Sequence, residues 1–153
     1  MKKISGQIIY TLTYPLILLL VRNTERSYVA VIYRDKILLT RNWLSNRPIW
    51  RLPGGGHQSS ERAIDAAVRE LKEETGVAIE PENFEILVES RPHRKKFTYN
   101  IFYLVIDTQP EITANTLEII DAKFIELKLI GSKFKTDEQV ETAIDQLKRL
   151  NII

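Results

Sequence analysis

Residues 55–77 of this chain read GGHQSSERAIDAAVRELKEETGV, a glycine pair leading into a carboxylate-rich stretch that stops at Gly76. Glu70, Glu73 and Glu74 stand at i, i+3 and i+4, so at about 100° per residue they share one helical face. Each like-charge pair there costs roughly 0.2–0.5 kcal/mol, which a helix with only a structural job avoids by using Gln or Lys. Two readings follow. One is a solvated acidic face partly neutralised by Arg69 and Lys72; the other is a surface on which a hard divalent cation collects oxygen ligands.

The flanking residues favour the cation. Ile64, Ala67, Val68, Leu71 and Thr75 form an apolar-leaning stripe at helical spacing, which buries one side and leaves the carboxylates on its flank. Ser60 reads as the N-cap, Glu61 sits where the helix dipole favours an anion, and Gly76 supplies a left-handed C-terminal cap. Just upstream, Leu52-Pro53-Gly54-Gly55-Gly56 is a loop whose missing side chains let backbone approach a ligand or metal.

At these residues the chain resembles the Nudix hydrolase family, whose signature is Gly, five residues, Glu, seven residues, Arg-Glu, an aliphatic, any residue, Glu-Glu, any residue, Gly, an aliphatic. Gly55, Glu61, Arg69, Glu70, Leu71, Glu73, Glu74, Gly76 and Val77 fill every fixed position. The resemblance implies an α/β/α sandwich with a mixed β-sheet, and a metal-dependent pyrophosphohydrolase that cleaves a nucleoside diphosphate linked to another group. It also implies that Glu70, Glu73 and Glu74 ligate Mg2+, with Mn2+ as a substitute, and that the carbonyl of Gly54 completes the shell. Arg69 would orient Glu70, and Glu61 would brace the loop or hold a further metal. The general base is Glu70 or Glu118, the latter from a segment, residues 118–125, similar to a late Nudix segment in which a glutamate precedes a strand.

Composition agrees with one globular domain. The chain has 153 residues, 27% of them charged, a formal net charge of +2 and no cysteine. That charge is too mild to imply a stable nucleic-acid complex. Without cysteine there are no disulfides, zinc thiolates or thiol catalysis, and a cytoplasmic setting is expected. Isoprenoid diphosphate isomerases, which resemble this fold, rely on a cysteine that this chain lacks.

Alternation and turn residues predict strands at residues 28–33 and 36–40 around Arg34-Asp35, then near 84–89, 97–106 and 123–127. A closing helix is expected from Asp137 to Leu150, with Val140, Ile144 and Leu147 on one face and Thr136 as its cap. Residues 1–26 read as an apolar extension, packed on the domain at 27–153 or at a homodimer interface. Its apolar run, residues 8–21, covers about 21 Å, short of the roughly 30 Å hydrocarbon core, and contains Pro15. A membrane-surface helix and an export signal are the alternatives, the second weakened because no small-residue cleavage site follows.

The basic cluster at residues 91–96 lies at an expected hairpin, and Arg91, Arg94 and Lys96 are its candidate contacts to an anionic substrate. Trp43, Trp50, Tyr99, Phe102 and Tyr103 could stack on a base, although aromatics at strand spacing more often fill a core. The resemblance implies a nucleoside triphosphate or an ADP-ribose-like molecule as substrate. A nucleotide-binding regulatory module and a membrane-associated hydrolase of a lipid-linked diphosphate are the other functional readings.

Overall fold

The computed structural model describes residues 25–42, 48–93, 97–114 and 119–153. Six strands form one mixed sheet: β1 (Glu25–Tyr33), β2 (Lys36–Asn42), β3 (Gly54–Gly56), β4 (Glu85–His93), β5 (Phe97–Ile106) and β6 (Ile119–Glu126). The order is β4-β5-β1-β2-β6, with β3 also pairing β1. β1 and β5 run parallel over their whole length, while the other pairs are antiparallel. Among the described residues, helices α1 (Ala63–Thr75) and α2 (Glu138–Arg149) flank the sheet, and short 3-10 turns lie at Pro81–Asn83 and Leu127–Leu129.

The alternation along β1 explains the layering, because a period of two sends successive side chains to opposite faces. Tyr28, Ala30 and Ile32 join Ile37, Leu39, Tyr99 and Ile101 in a core with Val140, Ala143, Ile144 and Leu147 of α2. Val29 and Val31 join Leu38 in a second core with Ala67 and Leu71 of α1. Both faces of the central strand are therefore covered, one helix to each face. This is the α/β/α sandwich with a mixed sheet that the sequence predicts.

β1 and β2 meet only at their turn, through Ile32 opposite Ile37 and Tyr33 opposite Lys36. Beyond it they diverge, and residues 50–56 thread the gap. Arg51 exchanges both backbone hydrogen bonds with Thr40, and the Pro53 carbonyl accepts from Val29 N–H at 3.0 Å. β3 then pairs Gly54 with Tyr28 and Gly56 with Arg26. The divergence is what seats the glycines beside α1.

Several boundaries differ from the sequence reading. β1 takes in Glu25 and Arg26, which that reading gave to the extension, and β6 starts at Ile119 rather than Lys123. α1 begins three residues after Ser60, which has φ 63° and lies in a turn; the N-cap is Arg62, with no side-chain cap. α2 is capped by Asp137, whose carboxylate accepts from Val140 N–H at 3.3 Å, rather than by Thr136. An anion at that place also meets the positive end of the helix dipole. Gly76 does take the left-handed conformation, φ 73°, and its N–H returns to the Lys72 carbonyl. Residues 1–24, Trp43, Arg94, Lys96 and Glu118 lie outside the described residues.

Candidate active site

α1 buries Ala67 and Leu71 against the sheet, and this rotation sets Glu70, Glu73 and Glu74 along its rim beside β3. Arg69 organises them. Its Nε and Nη2 donate to the two oxygens of Glu61, at 2.9 and 3.1 Å. Its Nη1 donates to Glu70 at 2.8 Å and to Glu73 at 3.1 Å, while Nη2 also reaches the Gly56 carbonyl at 3.0 Å. One guanidinium thus joins three carboxylates and the glycine strand. The hydrogen bonds that Arg69 donates, to Glu61 above all and to Glu70, hold its proton more firmly than usual, and the same bond from Arg69 is the main cause that keeps Glu61 below the ordinary carboxylate range.

Glu74 completes the link, its Oε2 accepting from Gly54 N–H at 3.1 Å. Gly55 lies so close under α1 that an added Cβ would stand 2.5 Å from Glu70 Oε1. Glu61 turns back to accept from Gln58 N–H at 2.8 Å, which fixes the loop between β3 and α1. The residues singled out from the sequence here, Gly54, Glu61, Arg69, Glu70, Glu73 and Glu74, therefore come together. Among the described residues no three acidic or histidine side chains converge tightly enough to hold one ion as they stand.

The α2 face of the sheet carries a second feature, of which the sequence gives no local sign. Arg26 shares the parity of Tyr28, Arg41 that of Leu39, and Lys123 that of Ile125, so three strands direct cations to one face. The Arg26 guanidinium stands 4.9 Å from the Phe97 ring centroid, and Arg41 and Lys123 stand 5.4 and 4.7 Å from that of Trp50. The Nε atoms of Arg26 and Arg41 are buried with no hydrogen-bond acceptor among the described residues, and that of Arg51 faces Asp137 Oδ2 at 3.5 Å. Arg91 pairs with Tyr99 across β4 and β5, which puts it toward the same face. Trp50 is only 5% exposed and packs edge-to-face on Phe134, so it fills the core rather than offering a ring to a base; Tyr99 is fully buried as well.

A family model described as the NUDIX domain matches residues 23–147. An RNA pyrophosphohydrolase of Dinoroseobacter shibae is 40% identical over 68 residues, 42% of this chain and 41% of that protein. The chain matches well under half the length of such curated relatives. Among solved structures, a bifunctional NMN adenylyltransferase/ADP ribose pyrophosphatase from Francisella tularensis, complexed with AMP and a manganese ion, has a TM-score of 0.69 at 24% identity, covering 94% of this chain and 47% of that one. The NUDIX domain of Shewanella oneidensis NrtR, complexed with ADP ribose, has a TM-score of 0.67 at 20% identity, covering 86% and 89%. These two likenesses show the shared fold, and with the family model spanning most of the sequence, the chain belongs to the NUDIX family.

Proposed function

We propose that this chain is a divalent-cation-dependent pyrophosphohydrolase acting on a nucleoside diphosphate joined to another group, a nucleoside triphosphate or an ADP-ribose-like molecule. The observation that carries this reading is the coupling of Glu61, Glu70 and Glu73 through Arg69 and of Glu74 through Gly54, all at a strand of bare glycines. The donor set is entirely oxygen, which suits Mg2+ or Mn2+. Glu70, Glu73, Glu74 and the Gly54 carbonyl would hold the ion. Glu73, its side chain 55% exposed, has the freedom to leave Arg69 for it.

When bound, the cation offsets charge on the phosphate oxygens and lowers the pKa of a water. Glu70 then takes a proton from the attacking water, whose oxygen bonds to one phosphorus as the bridging P–O bond breaks. The bond's electrons leave with the bridging oxygen on the departing phosphate. Arg69 holds Glu70 at 2.8 Å before substrate arrives, which would orient the base in advance. Glu118 is the rival base. Arg26, Arg41, Lys123 and Arg91 would contact an anionic part of the substrate only where it reaches round to the α2 face of the sheet, the side opposite α1.

A panel of nucleoside triphosphates, ADP-ribose and capped or triphosphate-ended oligonucleotides, assayed with Mg2+ and Mn2+ and with products identified, tests the reading. Turnover on one class, lost on chelation and in Glu70→Gln, supports it. Binding without turnover across the panel would replace it with the reading of a nucleotide-binding module.

A further inference from the structure

His57 fills an unconstrained place in the sequence pattern, yet its surroundings are specific. Ser27 of β1 is completely buried, opposite Gly55 on one side and Asn100 on the other. A buried hydroxyl needs a partner, and here it is His57, with Oγ 2.7 Å from Nε2. The other ring nitrogen, Nδ1, faces the Glu25 carboxylate at 3.5 Å, and the His57 N–H donates to the Glu25 carbonyl at 3.4 Å. One neutral tautomer serves both contacts: Nδ1–H toward Glu25, and Nε2 accepting from Ser27.

A serine, histidine and carboxylate in a row invite a nucleophile reading. Burial rejects it, because no substrate reaches an oxygen without accessible surface in the middle of a paired strand. What the row joins is β1 and the residue that follows the glycine strand. Those glycines sit tightly on both sides. A Cβ on Gly54 would run into the Ser27 carbonyl and the Tyr28 Cα, and one on Gly55 would meet Glu70. From the α1 side, Arg69 and Glu74 pull on Gly56 and Gly54. With no side chains of their own, the glycines are held to β1 by backbone pairing and by whatever anchors their end.

The geometry assigns His57 as a positioning residue: through Ser27 and Glu25 it pins the end of β3 to β1, and so sets the level of the glycine backbone beneath Glu70, Glu74 and Arg69. Its effect on turnover rests on the pyrophosphohydrolase reading; its effect on the order of β3 does not.

The test compares wild type, His57→Ala, His57→Gln and Ser27→Ala by three measurements: hydrogen exchange of the backbone amides at Gly55 and position 57, Mn2+ binding without substrate, and kcat and KM on whichever substrate the wild type cleaves. Losing the side-chain bridge should speed exchange at these amides, which face β1, about threefold to tenfold in His57→Ala, with the α2 core unchanged. Mn2+ should bind several-fold more weakly, and kcat should fall on the order of tenfold with KM moved less than about twofold. In His57→Gln the amide oxygen can still accept from Ser27, so most of each loss should be recovered. Ser27→Ala should reproduce the His57→Ala exchange and carries the comparison should that variant not fold. Unchanged exchange at these amides and unchanged Mn2+ affinity in a folded variant would overturn the assignment. Faster exchange in a protein whose wild type cleaves nothing on the panel would uphold the pin and sink the proposed reaction.

Discussion

Arg69 grips Glu61 across eight residues of sequence with both arms of its fork, Nε to Oε1 at 2.9 Å and Nη2 to Oε2 at 3.1 Å, while the remaining nitrogen serves Glu70 and Glu73. A lysine keeps the charge and loses the planar geometry, so it can satisfy one of these groups but not all. Arg69→Lys should therefore cost about 1–3 kcal/mol of stability, the scale of charge-assisted hydrogen bonds. It should lower kcat on the proposed substrate by at least about tenfold through misplacement of Glu70. Chemical denaturation and steady-state kinetics measure the two effects, and a variant indistinguishable from wild type in both would remove Arg69 from its organising role.

The same pair predicts an acid response. Arg69, chiefly by its hydrogen bond, holds the Glu61 carboxyl below its ordinary value, so folding lowers this group's pKa. The stability it contributes is then fully present above the unfolded carboxylate value of about 4.3 and is lost as pH falls through the lower folded value. Thermal midpoints of the wild type between about pH 7 and pH 3 should fall at the acid end more steeply than those of Arg69→Lys. Parallel curves would mean that Glu61 is not the group responding.

How much of this was legible in the sequence depends on the range of each interaction. The α1 stripe, the Gly76 cap and the paired carboxylates are local patterns, since helical periodicity fixes which side chains share a face. The Ser60 cap failed because Glu61 is drawn back by Gln58 and Arg69, which leaves Ser60 in a turn outside the helix. Thr136 failed by one residue, at a boundary where two capping residues stand side by side. The cations on the α2 face were invisible for a different reason. Arg26, Arg41 and Lys123 are far apart in sequence, and only the strand order, with β2 between β1 and β6, brings them to one face. The bridge from Ser27 to His57 likewise depends on the divergence of β1 and β2, which no local pattern announces.

Glu74→Gln separates the two jobs of Glu74. Its side-chain oxygen can still accept from Gly54 N–H, so the glycine strand should stay in place and the thermal midpoint should change by less than about 4 °C. The lost charge is the one a hard cation needs, and turnover should fall by about 10²-fold or more. Near-normal hydrolysis in this variant would sink the proposed metal site.

Two of the three glycines ahead of α1, Gly54 and Gly55, should respond in opposite ways to the same added methyl group. At Gly55 the obstacle is the far end of the Glu70 side chain, 2.5 Å from the new carbon, which can swing aside. Gly55→Ala should therefore fold with a midpoint within about 4 °C of wild type, yet lose activity on the order of tenfold because Glu70 has left its place. At Gly54 the obstacles are backbone, the Ser27 carbonyl and the Tyr28 Cα, and φ is 149°, a conformation side-chain-bearing residues rarely adopt. Neither can move without unpairing β3 from β1, so Gly54→Ala should cost about 2 kcal/mol or more and lower the midpoint by several degrees. Measuring midpoint and kcat for both variants decides the matter. A stable, inactive Gly54→Ala or an unstable, active Gly55→Ala would reverse the assignment of which glycine serves the fold and which the chemistry.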